Sequence, residues 1–285
     1  MPRSSALNVI ANHAPRSIVH RTKGTRQGPI TRLMSPGDLG QHLKPFVFLD
    51  HFNFKPEPGQ KGFGMHPHSG IATFTYMIEG EVAYEDTTGK SGVLPQGGVE
   101  WMNAGNGVWH NAKPVNSLPM TGFQLWVALP AAQENGPPLS VYLDASSIPE
   151  QGPARVLLGE YGKAKSPVPS PEGMNYLAVD LKDGEHWRYT PPADHTVGWL
   201  AVNQGGLEAG GPIQAGELAV FEASDRAIDV IAQGDTSFVL GSAIKHSHDL
   251  VMGYYSVHTS KAALDKGEKE IERLGALLRQ EGRLA

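Results

Sequence analysis

Short apolar runs closed by glycine or proline turns recur at regular spacing through most of this chain, and that rhythm constrains the fold more than any other feature. Aromatic and β-branched runs fall at 46–52, 71–78, 81–85, 98–102, 107–110 and 122–129. Between them lie Glu79-Gly80, Thr88-Gly89, Pro95-Gln96-Gly97-Gly98 and Gly105-Asn106-Gly107. Glycine supplies positive φ and proline fixes φ at corners, so such a chain folds as short strands joined by tight turns. The 34 Gly and 22 Pro make up about a fifth of the 285 residues, well above the usual share of roughly 12%. A coiled coil or helical bundle is excluded, and an all-β fold of antiparallel barrels or jelly rolls is expected.

The rhythm resumes beyond residues 131–171, a stretch rich in Pro, Gly, Ser and Glu, with runs at 174–181, 196–202, 217–221, 227–232 and 236–240. Gly89 to Gly97 matches Gly206 to Gly216 around a shared proline, and 73–80 resembles 196–203. We read two halves of one design: an N-terminal barrel over 1–140 and a C-terminal barrel over 141–285 that carries a terminal helix. Ala262, Ala263, Leu264, Ile271, Leu274, Leu277 and Leu278 recur at helical spacing after Thr259 and Ser260, either of which can cap the helix. This amphipathic helix is expected to pack on a barrel.

A net charge of -5 and pI near 6.2 give no basic field for a phosphate backbone, so no direct nucleic-acid partner is expected. The absence of cysteine excludes disulfides, thiolate metal sites and Cys nucleophiles. The opening MPRSSALNVIANHAPRS lacks the apolar core of a signal peptide, and no window approaches a membrane span. A soluble cytoplasmic protein without a membrane partner is the expectation.

The chemistry gathers at Gly62-Phe63-Gly64-Met65-His66-Pro67-His68-Ser69-Gly70. In extended backbone His66 and His68 share a face, about 6.6 Å apart, so two imidazoles can converge on one ion. A hairpin and a Gly-Pro-Gly turn follow, and then a third histidine, His110. That is the ligand order of a small antiparallel barrel with a metal in its mouth. The segment from His66 to His110, with the upstream FVFLDHFNF and downstream GFQLWVALP, resembles the pirin family of the cupin superfamily. The likeness is strong from about residue 15 to 130 and looser through HDLVMGYYSVHTS.

The resemblance implies a bicupin with one divalent metal in its N-terminal barrel, iron first, with nickel, manganese or zinc as alternatives, held by His66, His68 and His110. Pirins add a Glu two residues past the third His, and here that position is Ala112; the general cupin Glu position, four past the second His, is read as Ala72. Three neutral imidazoles would leave the ion its full charge and at least one open position. His51, Gln124 and Glu100 are weighed as residues that reach in from neighbouring strands, and Phe52, Phe74, Tyr76, Trp101 and Trp126 as the aromatic lining of the pocket. His246-Ser247-His248 reads as a polar loop, and His186, His195 and His258 as structural or exposed. A metal-dependent dioxygenase of the quercetin 2,3-dioxygenase type, acting on a small aromatic substrate, is one expectation; against it stands the missing Glu, the natural base for a substrate hydroxyl. The other is a non-enzymatic regulatory or scaffold protein with a protein partner.

Overall fold

The computed structural model describes residues 14–59 and 62–284, so the segment read for a leader lies, up to residue 13, outside the described residues. All the ladders between its strands are antiparallel. In the first half, a seven-stranded sheet runs in the order Leu139–Leu143, Val99–Asn103, Ile71–Glu79, Met120–Ala128, Phe46–Phe54, Ile30–Met34, Thr25–Gln27. A four-stranded sheet faces it, in the order Phe63–His68, Val108–Pro114, Val82–Asp86, Ser91–Leu94. In the second half, Val197–Glu208 and Ile228–Ala243 are long enough to run through both walls, so nine strands form one curved sheet. Register shifts at Val202/Gln204 and Gln204/Gly206 provide the bend. The runs expected at 227–232 and 236–240 are thus one strand. Its polar Gln233-Gly234-Asp235 stretch is exposed and carries the chain from one wall to the other.

The repeat is real, but it sits two residues from the sequence match. Gly97 N–H donates to Met77 O and Gly216 N–H to Val202 O, so Met77 corresponds to Val202 and Phe74 to Trp199. Strand alternation is unchanged by a two-residue shift, which is why the pattern match could not detect it.

The large sheets pack through their outer faces. Phe74, Tyr76, Trp101, Phe123 and Leu125 from the first half meet Tyr176, Trp199, Ala201 and Val220 from the second in one buried cluster. Phe46 and Phe74 meet Trp199 and Tyr176 edge-on at 5.4 and 5.5 Å between centroids.

The two ends of the chain cross over. Ile18–Thr22 pairs with Leu218–Phe221 in the second sheet, and the C-terminal helix Lys261–Gln280 packs on the first barrel. Ser260 Oγ accepts from Ala263 N–H at 3.2 Å and caps the helix. Leu264, Ile271 and Leu278 are its buried seam, while the expected Leu277 faces outward. Gly267 and Gly275 sit within the helix for a packing reason. A Cβ there would stand 2.5 Å from Ser69 Oγ or 2.8 Å from the Trp109 ring. That close approach lets Trp109 Nε1 donate to Ile271 O at 2.9 Å. Among the described residues no helix is long and apolar enough to cross a membrane.

Candidate metal centre

His66 and His68 lie on Phe63–His68, which pairs with Val108–Pro114 so that His66 stands opposite His110 and His68 opposite Val108. One ligand atom from each of the three imidazoles lies within 4.8 Å of the others. Each Nδ1 faces an oxygen: His66 reaches Gly64 O at 2.8 Å, His68 reaches Tyr255 O at 3.0 Å, and His110 lies 3.3 Å from Glu100 Oε1. Carbonyl acceptors at Nδ1 of His66 and His68 favour the Nδ1–H tautomer, which leaves their Nε2 lone pairs free.

Among the described residues the Nε2 atoms meet no oxygen. His66 Nε2 and His110 Nε2 face each other at 3.0 Å, and His68 Nε2 is buried without a hydrogen bond. Two lone pairs at that distance repel unless a proton or a cation lies between them, and a buried orphan acceptor is costly. An imidazolium suits the cluster poorly. Burial and the neighbouring His110 hold the His66 imidazole down at about 4, and burial holds His68 well below its ordinary range. Neutral, converging, pre-oriented imidazoles fit a borderline divalent cation.

The cluster opens into a cavity of about 880 Å³ inside the first barrel. Of the residues expected to line it, Phe52, Gln124 and Trp126 do. Trp126 stacks on Phe48 at 4.1 Å, meets His68 edge-on at 4.9 Å, and its buried Nε1 has no partner among the described residues. Arg32 lies 4.2 Å over Phe48 and grips Asp50 with two hydrogen bonds at 2.9 and 3.0 Å. Ala112 lines the cavity with its methyl group.

Phe74, Tyr76 and Trp101 do not line it. They sit on the other face of the sheet, in the core between the barrels. Their aromatic character serves that second interface, whereas the inward face of the same strand carries Thr75 and Met77. His51 is also displaced: its Nε2 meets Asn203 Oδ1 at 3.0 Å across the two halves, and its ring stacks on Phe123. Ala72 belongs to the same outer face. Alternation therefore gives the inward position to Thr73, whose buried Oγ1 is unpartnered. Glu100 is 6% exposed and lines the cavity, and it accepts from Thr75 Oγ1 at 2.5 Å.

Sequence reading missed the hairpin formed by Val251–Gly253 and Ser256–His258, whose turn forms one wall of the site. Tyr255 there has φ of 54°, its carbonyl anchors His68, and its ring lies 5.8 and 5.9 Å from those of His66 and His68. The hairpin is fixed beneath by Ser69 Oγ against His258 Nε2 at 2.9 Å and by His258 Nδ1 against Glu134 at 3.1 Å. His258 is thus structural, as expected. Gly70, with φ of 74°, leaves room for it, because a Cβ there would lie 2.1 Å from Val257 O. The only local signal is Gly253-Tyr254-Tyr255-Ser256 between two short runs, which reads as an ordinary turn. His246 and His248 stay apart from the three-histidine cluster; His246 Nε2 contacts Leu129 O at 3.2 Å.

Comparison with known proteins gives a consistent result. The pirin family model matches residues 28–127. A Pseudomonas aeruginosa protein provisionally named a quercetin 2,3-dioxygenase is 31% identical over 260 residues, covering 86% of this chain and 90% of its own length. A pirin-like protein of Caulobacter vibrioides is 31% identical over 219 residues, covering 69% of this chain and 73% of its own. The crystal structure of quercetin 2,3-dioxygenase from Acinetobacter baumannii superposes with a TM-score of 0.84 at 25% identity, covering 91% of this chain and 98% of the other. With the histidine motif in register in a two-barrel all-β fold, these matches mean that the chain is a bicupin and belongs to the pirin family.

Proposed function

We propose that this chain is a metal-dependent pirin-like enzyme that holds one divalent cation on His66, His68 and His110, iron first, and oxidises a small aromatic substrate in the manner of quercetin 2,3-dioxygenases. The observation that carries the reading is the convergence of one ring nitrogen from each of three imidazoles, each imidazole having an oxygen near its Nδ1, on the wall of a cavity large enough for a small molecule. The names of the Pseudomonas and Acinetobacter proteins support the reaction class. We propose in addition that the functional division falls near residue 140, with the metal in the first barrel only.

When bound, the cation would supply Lewis acidity and, as iron, one-electron chemistry toward O₂. The chain's own residues supply the rest. The stacked Phe48 and Trp126 rings form an apolar stretch of the cavity wall. Burial and the carboxylates of Glu100 and Asp86 push the Tyr142 phenol up. It therefore stays protonated, donates to Asp86 at 2.9 Å and holds the far wall with Tyr84. The exposed side chains of Phe63, Met252, Tyr254 and Tyr255 at the mouth favour entry of an apolar ligand; the partner-binding reading would use the same rim.

Elemental mass spectrometry on protein purified without added metal, beside a His66→Ala/His110→Ala variant, tests the proposal. About one equivalent of metal, lost in the variant, together with oxygen uptake on a flavonol panel, is expected. Metal far below one equivalent in both proteins overturns the enzyme reading and leaves the regulatory one.

A further inference from the structure

The three-histidine cluster and Glu100 each lack what the other has. Three imidazoles bring no negative charge to a divalent ion, and Ala112 supplies none. Glu100 is a buried carboxylate whose ion-pair contact among the described residues is His110, with no Lys or Arg beside it. Its other polar contact is Thr75 Oγ1, a neutral donor. Burying a carboxylate against neutral groups is unfavourable unless a positive charge lies close by. Its position is fixed by strand alternation: Val99–Asn103 turns Trp101 outward to the inter-barrel core and Glu100 inward behind the His110 ring.

We propose that Glu100 is the charge-balancing carboxylate of this centre, acting through the His110 imidazole in place of the ligand absent at Ala112. The proposal rests on the metal reading above. Glu100 is a positioning residue rather than a ligand. From behind Nδ1 it orients the imidazole, raises its basicity and lowers the net charge of the site by one.

Zn(II) affinity of chelator-treated protein, measured by competition with a chromophoric chelator, is the test. It compares wild type, Glu100→Gln, Glu100→Asp, Glu100→Gln/Ala112→Glu, and the His66→Ala/His110→Ala control. Glu100→Gln keeps shape and an acceptor oxygen but removes charge, and it should weaken Zn(II) binding about 10- to 100-fold at unchanged stoichiometry. Glu100→Asp should stay closer to wild type, and the carboxylate introduced by Ala112→Glu should recover most of the loss. Wild-type affinity in Glu100→Gln overturns the proposal. So does an equal loss in Glu100→Gln and Glu100→Asp without rescue, because packing would then be the cause. If wild type binds no better than the histidine control, the metal reading itself fails and the proposal falls with it.

Discussion

The two barrels solve the same construction with opposite interiors. In the first, His66 and His68 stand across from His110 and Val108. In the second, Trp187 and Tyr189 stand across from Val230 and Ile228, at the same two-residue step on the corresponding pair of strands. There the interior is closed by an apolar cluster that includes Trp187, Tyr189, Leu200, Val202, Ile213 and Phe238. In the first barrel the same inward positions hold imidazoles, a carboxylate, threonine and a cavity. The outer faces are alike: Phe74 and Trp199 occupy equivalent places in one shared core. The fold therefore draws its stability from the interface and from the second interior, and the first interior is free to carry chemistry at some cost in packing.

The sharpest way to break this comparison is to truncate equivalent positions. Trp187→Ala should destabilise the protein by about 3–5 kcal/mol, since it leaves a large void in a packed core. His66→Ala in metal-free protein should cost about 1 kcal/mol or less, because it borders a cavity already present. Chemical denaturation of chelator-treated proteins measures both. Equal losses would mean that the first interior bears load and is no dispensable site.

Metal should reverse that asymmetry. At a hundredfold excess over Kd, a cation bound only by the folded state adds about 2.7 kcal/mol of stability. Thermal unfolding with and without Zn(II) should show this gain in wild type and in Trp187→Ala, and none in His66→Ala/His110→Ala. A gain in the last would place the ion elsewhere.

The same contrast explains what was legible in the sequence. The strand runs, the terminal helix and the three histidines rest on short-range signals, namely period-two alternation, glycine turns and His-x-His spacing, and each is present in the structure. Sequence reading puts Phe74, Tyr76 and Trp101 on the wrong face because alternation says which residues share a face but not what that face meets. In a lone barrel an aromatic face would be the interior; here a second barrel covers it. His51 goes the same way, and its partner Asn203 lies 152 residues along the chain. Tyr255 and the crossed chain ends are equally hidden, because nothing local marks a C-terminal turn as a wall of an N-terminal site.

A pH series separates the interiors more gently. The metal-free His66 imidazole is held at about 4, and burial also lowers His68 and His51. These groups bind fewer protons when folded than when unfolded, where they titrate at about 6.5. Their contribution is therefore complete above pH 6.5 and is lost as pH falls toward 4. In the second barrel burial lowers His195. Hydrogen exchange on chelated protein should show the protection of 63–68 and 108–114 falling between pH 7 and 5 by on the order of 2 kcal/mol, with 197–208 and 228–243 changing less. Uniform loss would refute the assignment of acid sensitivity to the first interior.

The smallest effect concerns the two non-glycine residues at positive φ, Asp194 at 66° and Tyr255 at 54°. Asp194, on a loop of the second half, is of a type that tolerates the left-handed region by hydrogen-bonding locally; tyrosine has no such compensation. Its strain is held where the Tyr255 carbonyl anchors His68, and strained backbone persists only where the surroundings over-determine it. Comparing Tyr255→Gly with Tyr255→Ala isolates that term, since both remove the ring and only glycine relieves the backbone. The left-handed penalty of roughly 1–2 kcal/mol, less the greater freedom of glycine in the unfolded chain, should leave Tyr255→Gly more stable by about 1 kcal/mol. The corresponding pair at Asp194 has the same backbone term but no ligand to anchor. Zn(II) affinity should therefore differ between Gly and Ala at 255, where the turn sets the His68 carbonyl contact, and be indifferent to the choice at 194. Equal Zn(II) affinity for both variants at 255 would show that His68 does not need this turn to hold its tautomer, and that the hairpin closes the cavity without tuning the centre.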